Sequence, residues 1–224
     1  MLVEAIKQSL PFAFGIALSP LPIAAIIMIL MSARASTNAP AFLLGWFLGL
    51  LLVGVIVFMI PASQTEGGKP TDMAGLIRIA LGILLLYFAL IQWRSRPSPE
   101  DVVEVPKLLS GLDTLGAGKS LLAGFMLVAI HPKNLLLCMA GAAAIDLNTS
   151  TLVSQLGAYK IFVLIASSTV IFPMIPYLLA RKRAKIIFES WKDWLVRNNK
   201  VAMAMILLVL GIVLVYRGIE FTGV

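Results

Sequence analysis

The chain has 224 residues, of which 60% are hydrophobic and only 13% charged, with a net charge of +7. A soluble domain averages about 45–50% apolar and about 25% charged residues, so this composition excludes an ordinary soluble domain and points to a polytopic protein whose solvent is lipid. The single cysteine, Cys138, excludes an internal disulfide, a dithiol relay and a cysteine-based metal cluster, and the excess of Lys and Arg is expected to set membrane topology rather than to bind nucleic acid.

A bilayer core needs about 20 apolar residues per helix. By that measure six spans are predicted, at 10–31, 40–62, 73–93, 120–145, 154–180 and 201–218. The first is too long for a signal-peptide core, and Glu4 and Lys7 make a poor basic leader, so it is expected to stay uncleaved. It carries "LSPLP" (Leu18–Pro22), with Ser19, Pro20 and Pro22 near mid-depth. Proline lacks a backbone donor and frees a carbonyl one turn back. Lipid cannot satisfy that carbonyl, so a broken helix must face protein or a water-filled cavity.

The second span contains "GWFLG" (Gly45–Gly49), a GxxxG packing motif that fits contact with span one, with span five or with a second copy in a homodimer. Arg78, in the third span, lies about one and a half turns inside the predicted outer edge. After it comes "RSRPSPEDVVEVPK" (Arg94–Lys107), whose prolines and mixed charges predict a flexible linker.

The fourth span holds the most unusual stretch, "LVAIHPKNLLLC" (Leu127–Cys138), with His131, Pro132, Lys133 and Asn134 in the middle of an apolar run. Lys133 is roughly 20 Å from either end of its helix at 1.5 Å per residue, beyond the reach of a snorkelling side chain. A cation at the bilayer centre costs about 2.5–3.5 kcal/mol on insertion scales, so compensation is required. No Asp or Glu lies in the middle of any predicted span; Asp146 is at an outer end. The candidates are carbonyls freed by Pro20 and Pro132, or an anionic substrate. The plain alternative is a structural lysine held by carbonyls. His131 is read either as a carrier of a coupling proton or as a hydrogen-bonding partner of the broken backbone. Ser19 and Asn134 offer neutral hydrogen bonds.

Span five carries Lys160, at a depth similar to that of Arg78. Both residues fit snorkelling to outer headgroups or, alternatively, a basic vestibule for an anionic substrate. "SST" (Ser167–Thr169), in the same span, is expected to bond its own helix backbone or to line a path. Ahead of span six, "KIIFESWKDWLVRNNK" (Lys185–Lys200) puts Ile187, Trp191, Trp194 and Leu195 at i, i+4, i+7 and i+8, which predicts an amphipathic interfacial helix near 185–199.

The basic residues fix an expected orientation. Twelve of them fall in the loops after spans one, three and five, against Lys7, Lys69 and Arg217 on the other side. This places the odd loops in the cytoplasm and both termini outside. The halves also echo each other: Pro20 and Pro132, Gly45 and Gly157, and Pro61 and Pro173 are each 112 residues apart. "LGILLLY" (Leu81–Tyr87) returns as "LGIVLVY" (Leu210–Tyr216) at an offset of 129. An odd number of spans per half makes the repeat inverted, as in many secondary transporters. The expected fold is all-α: residues 1–93 as a first three-helix repeat, 94–119 as a cytoplasmic linker and 120–224 as a second repeat, with helices one and four broken at proline. Paired breaks of this kind are the best sequence pointer to a transport site.

"ALSPLPIAAIIMILMSARA" (Ala17–Ala35), "AFLLGWFLGL" (Ala41–Leu50), "HPKNLLL" (His131–Leu137) and "WLVRNNKVAMAMILLVLGI" (Trp194–Ile212) together resemble the GAP family of the LysE transporter superfamily, the peptidoglycolipid- and sulfolipid-addressing proteins. The resemblance runs nearly end to end. It implies a six-span protein of the plasma (inner) membrane that moves glycolipids or other small solutes toward the cell surface. The family motif at the span-four break reads Asn-Pro-Lys-Asn; His131 departs from it.

Three functions follow as expectations: an exporter of an anionic lipid or glycolipid, an exporter of a small hydrophilic solute such as an amino acid, or a non-transporting assembly factor of a lipid-export machine. A midplane lysine without a membrane carboxylate argues against cationic cargo. The site residues expected to bind substrate are Ser19, Pro20, Pro22, Arg78, His131, Pro132, Lys133, Asn134 and Lys160. No nucleophile–base–orienter set supports an enzyme, and neither metal nor cofactor is expected. The expected partners are membrane lipids, a second copy of the chain or a lipid-export complex.

Overall fold

The computed structural model describes residues 2–59, 72–96, 111, 116–149, 151–179 and 181–222. Pro61, Lys69, Lys107 and most of the predicted linker lie outside the described residues. Among the described residues the fold is all-helical. In chain order the helices are α1 (Leu2–Ala17), α2 (Pro20–Met31), α3 (Ala35–Met59), α4 (Asp72–Arg94), α5 (Ala117–Ala129), α6 (Pro132–Asp146), α7 (Leu152–Ile171), α8 (Met174–Leu179) and α9 (Arg181–Thr222).

Helices α3 and α7 and the Lys200–Glu220 part of α9 are long and apolar enough to cross a membrane. Two further pairs reach that length together but are bent at a short break, α1–α2 by 51° and α5–α6 by 63°. The described residues thus offer three crossing segments, or up to five if each bent pair is one span, and the chain is a membrane protein. The third predicted span corresponds to α4, whose described apolar stretch, Ile79–Arg94, is shorter.

Predicted boundaries differ at spans one, five and six; α1 begins at Leu2 rather than at residue 10. The fifth span was expected to reach residue 180, but α7 stops at Ile171 and the short α8 begins at Met174, because the intervening Pro173 cannot continue the hydrogen-bond ladder. The amphipathic segment 185–199 and the sixth span are one continuous helix of 42 residues, about 63 Å at 1.5 Å per residue. Its predicted apolar stripe divides between two faces. Leu195 turns inward with Ala184 and Phe188, while Ile187, Trp191 and Trp194 stay exposed. Trp191 stacks on Phe172, at the α7–α8 break, with ring centroids 6.3 Å apart.

Lipid tails are as apolar as leucine, so membrane helices associate through close packing at small residues. The GxxxG motif on α3 packs against α5, the predicted fourth span, rather than span one or five. A side chain at Gly45 would collide with the Leu121 carbonyl, and a Cβ at Gly49 would lie 2.9 Å from Val128 Cβ. Gly124 of α5 returns the contact: a Cβ there would lie 2.9 Å from the Trp46 backbone nitrogen. The motif finds this partner because α5 presents its own glycine where the two backbones meet. Trp46 is fully buried and donates its indole N–H to Ser167 Oγ on α7 at 3.1 Å.

The second close seam joins α4 to α9, which run antiparallel. A Cβ at Gly82 would lie 2.7 Å from Val215 Cγ2 and 3.0 Å from the Gly211 carbonyl oxygen. A Cβ at Gly211 would lie 2.7 Å from Leu86 Cγ and 3.0 Å from the Gly82 carbonyl oxygen. One heptad along, Gly218 faces the Gly75 carbonyl. Gly211 and Val215 each follow Gly82 and Leu86 by 129 residues, so equivalent residues meet reciprocally.

Candidate functional site

Both helix breaks are made the same way. Proline at the first position of a helix loses nothing, because that N–H has no partner in any case, and its fixed φ suits the helical start. Pro20 opens α2 behind Ser19 (φ −69°, ψ 114°), and Pro132 opens α6 behind His131 (φ −67°, ψ 114°). Neither flanking side chain caps its own helix. Ser19 is instead spent across the break, where its hydroxyl donates to Asn134 Oδ1 at 2.9 Å. The starts of α2 and α6 therefore lie side by side, and their positive dipole ends share one neighbourhood.

A broken helix leaves carbonyls without their usual donors, and three of them can be followed to a replacement. In α1 the Ser19 N–H tightens onto the Ile16 carbonyl at 3.0 Å, which strands the Gly15 carbonyl. Lys133 Nζ fills that vacancy from the other half at 3.0 Å and also donates to Ser19 Oγ. In α5 the His131 N–H reaches back to the Met126 carbonyl at 3.1 Å, which strands Leu127. Asn134 Nδ2 takes the Leu127 carbonyl at 2.8 Å. The carbonyl of Ala17, the last residue of α1, accepts from Thr169 Oγ1 on α7.

Lys133 is 5% exposed, and Ser19 and Asn134 are fully buried. Among the described residues the ammonium is thus held by a carbonyl and a hydroxyl and by no carboxylate. Asp146 sits at the far end of α6, where its Oδ1 accepts from Gln155 Nε2 at 2.7 Å. Two helix starts and an ammonium gather positive potential here without a fixed counter-charge, an arrangement that favours anions.

Of the residues expected at the site, Ser19, Lys133 and Asn134 converge, Pro20 and Pro132 create the breaks, and Pro22 is buried in the first turn of α2. His131 is half-buried, and its Nδ1 is buried without a hydrogen-bond partner. Lys160 is exposed on α7 and takes no part in the network. Arg78 lies on α4, but its side chain is outside what the structure describes.

The Gly15 and Leu127 carbonyls were not anticipated as acceptors, because proline arithmetic points one residue later, to the i−4 position. Thr169 was visible only as part of "SST", and the three residues divide their work. Ser168 bonds its own helix at Ile165, Ser167 accepts from Trp46, and Thr169 reaches the α1 break. A second buried polar group joins α3, α6 and α7: Tyr159 OH donates to the Leu50 carbonyl and lies 3.3 Å from Cys138 Sγ.

Beside the break is an apolar crevice of about 360 Å³ between α1 and α9, lined by Pro11, Phe14, Gly15 and Leu18 on one side and by Met205, Ile206, Val209 and Leu210 on the other. Gly15 belongs to both places. Its α-carbon wall faces the crevice and its carbonyl holds Lys133.

Residues 10–220 match the family described as Sap, sulfolipid-1-addressing protein, and the chain belongs to that family. No curated protein and no solved structure matches it.

Proposed function

We propose that this member of the sulfolipid-1-addressing family is a plasma-membrane exporter that carries an anionic lipid or glycolipid toward the cell surface. The observation that carries this reading is the sharing of Gly15 between an apolar crevice and the bond to the buried Lys133 ammonium. A lipid tail fits the crevice, and a phosphate, sulfate or carboxylate headgroup fits the two helix starts and the lysine one carbonyl away. Opening the two broken helices releases Lys133 from Gly15 and Ser19 and makes it the headgroup's counter-charge. An amino-acid exporter with cationic cargo fits poorly, because no carboxylate among the described residues meets this ammonium.

The architecture we propose is that of the LysE superfamily: six spans in two inverted repeats, with α1–α2 and α5–α6 as the broken first and fourth spans and both termini outside. It is supported by the 112- and 129-residue offsets, by matched contacts in which α1 packs on α7 as α5 packs on α3, and by the reciprocal glycine seam of α4 and α9. Cysteine labelling in intact cells tests the orientation in a Cys138→Ala background. Lys69→Cys should react with a membrane-impermeant maleimide and Lys192→Cys should not; the opposite pattern overturns the topology.

For transport itself, the purified chain in proteoliposomes should move a labelled anionic lipid between leaflets faster than its zwitterionic counterpart. Lys133→Met should lower that rate roughly tenfold or more, the loss expected when a charged partner of the headgroup is removed. A wild-type chain that moves no lipid would falsify the exporter reading, and equal rates for wild type and Lys133→Met would remove Lys133 as the headgroup's partner.

A second reading, a non-transporting assembly factor of a lipid-export machine, is favoured by one observation. Lys133 is buried, with its ammonium bonded to the Gly15 carbonyl and the Ser19 hydroxyl. If the wild-type chain alone moves no lipid, while the Lys133→Met variant still supports lipid export in cells, this second reading holds.

A further inference from the structure

The apolar groove at the other end of the α4–α9 seam has a different character from the crevice beside the break. It has a volume of about 390 Å³ and is lined by Leu86, Ala89, Leu90 and Trp93 of α4 and by Met205 and Leu208 of α9. That lies in the range of about 300–1,000 Å³ typical of small-ligand sites. Its floor exists because Ala89 and its neighbour Ala204 continue the small-residue spacing of the seam, leaving room where larger side chains would fill the gap.

The mouth of this groove is basic. Arg96 lies over the Trp93 ring, its guanidinium carbon 4.2 Å from the ring centroid. Lys200 Nζ donates to the Ser95 carbonyl at 2.6 Å, which ties the start of the α9 span to the end of α4. Arg94 is exposed beside them, and Arg197 is exposed one turn before Lys200. Along α9, Lys200, Ala204 and Leu208 follow one another at four-residue spacing, so cation, floor and apolar wall share a helix face. Residues 87–96 and 194–208 contain no Asp or Glu.

Arg96 and Lys200 therefore cap an acyl-sized groove with fixed positive charge, and the Trp93 ring beneath Arg96 holds the guanidinium at the groove's mouth. Basic pockets between membrane helices of this kind recognise acidic headgroups, and a guanidinium suits their paired oxygens.

We infer that the α4–α9 groove is a docking site for an anionic membrane lipid, with an acyl chain along Leu86, Leu90 and Leu208 and the acidic headgroup on Arg96 and Lys200. The groove shares Met205 with the crevice beside the break, but its headgroup end is built from α4 and α9, and it stands whether or not the break carries lipid.

Trp93 supplies the test, because it lines the groove. In a Trp191→Phe/Trp194→Phe background the remaining tryptophans are Trp93 and the fully buried Trp46. The protein is placed in phosphatidylcholine vesicles containing a minor fraction of phosphatidylglycerol with brominated acyl chains. Quenching of Trp93 should exceed that from the same fraction of brominated phosphatidylcholine by about fivefold, the enrichment expected of one basic contact at a membrane surface. Arg96→Gln/Lys200→Gln should bring the two lipids level, and the charge-preserving exchange Arg96→Lys/Lys200→Arg should restore the preference. Filling the groove with Ala204→Phe should lower quenching by both lipids. Equal quenching by both lipids in the parent protein overturns the inference. So does a preference that survives Arg96→Gln/Lys200→Gln, or one abolished by soluble glycerol phosphate, which would make the site an anion site rather than a lipid site.

Discussion

At Ser19–Pro20 and at His131–Pro132 the backbone takes nearly the same turn, yet the side chains that follow are opposite in kind. Positions 21 and 22 are Leu and Pro; their counterparts 112 residues on, 133 and 134, are Lys and Asn. Each break strands a carbonyl five residues before its proline, Gly15 in one half and Leu127 in the other. Both are satisfied from the second half, one by Lys133 and the other by Asn134. Proline geometry is therefore enough to break a span, and the polar equipment need not be repeated. A single amide satisfies a stranded carbonyl, so the charge on Lys133 exceeds what the backbone requires.

The sharpest way to break this comparison is to remove the amide. Asn134→Leu leaves the Leu127 carbonyl without its donor and the Ser19 hydroxyl without its acceptor, both buried. At about 1–3 kcal/mol for each unpaired group, the loss should be about 2–6 kcal/mol. The counterpart change in the first half, Pro22→Ala, touches no side-chain hydrogen bond and should cost under about 1 kcal/mol. Reversible unfolding in mixed micelles measures both. Comparable losses in the two variants would mean that the halves share the polar burden after all.

Much of this was legible in the sequence, and the reasons are specific. Pro20 and Pro132 announced their breaks because proline has no N–H to continue a helix, and the apolar runs located the helices while missing the starts of α1 and α9 and the end of α7. The cost of an uncompensated cation required that Lys133 find compensation, but left open whether carbonyls freed at Pro20, carbonyls freed at Pro132 or an anionic substrate would supply it. Gly15 was hidden because its role belongs to a carbonyl, which every residue possesses, and because the tightened Ser19 turn moved the vacancy by one residue. The partner of the GxxxG motif was equally hidden, since Gly45 and Gly49 state that a backbone approaches but not whose. Gly124 becomes meaningful only once α5 lies against α3. The continuity of α9 was missed because the basic, amphipathic stretch 185–199 reads as a separate interfacial helix until Phe188 and Leu195 are seen to be buried.

The α4–α9 seam is the reverse case, a place where the halves are alike. Gly82 meets Val215 as Gly211 meets Leu86, at the same 2.7 Å for an added Cβ. Gly82→Val and Gly211→Val should therefore destabilise by similar amounts, about 2 kcal/mol each, as expected when a tightly packed contact is overfilled. A difference larger than about 1 kcal/mol between them would separate two positions that the 129-residue repeat equates. The double variant should cost less than the sum, because the first substitution already pushes the helices apart.

The smallest expected loss of stability is at Lys133, where two opposing effects are close in size. Lys133→Met keeps bulk and removes the ammonium. The Gly15 carbonyl then has no donor, which costs about 1–3 kcal/mol when buried. The same substitution removes a cation whose placement at mid-depth costs about 2.5–3.5 kcal/mol. Ser19 keeps its bond to Asn134, so the junction between the two breaks survives. The net change should lie between about 0.5 kcal/mol of destabilisation and about 2.5 kcal/mol of stabilisation, on the same scales. That lack of appreciable destabilisation separates a lysine kept for function from one kept for structure. A structural lysine, irreplaceable as the donor to Gly15, would make Lys133→Met melt as early as Asn134→Leu. Thermal unfolding of the two variants side by side in one detergent decides between them. An early-melting Lys133→Met would assign the charge to holding the fold, while a late-melting variant that moves no anionic lipid would assign it to cargo.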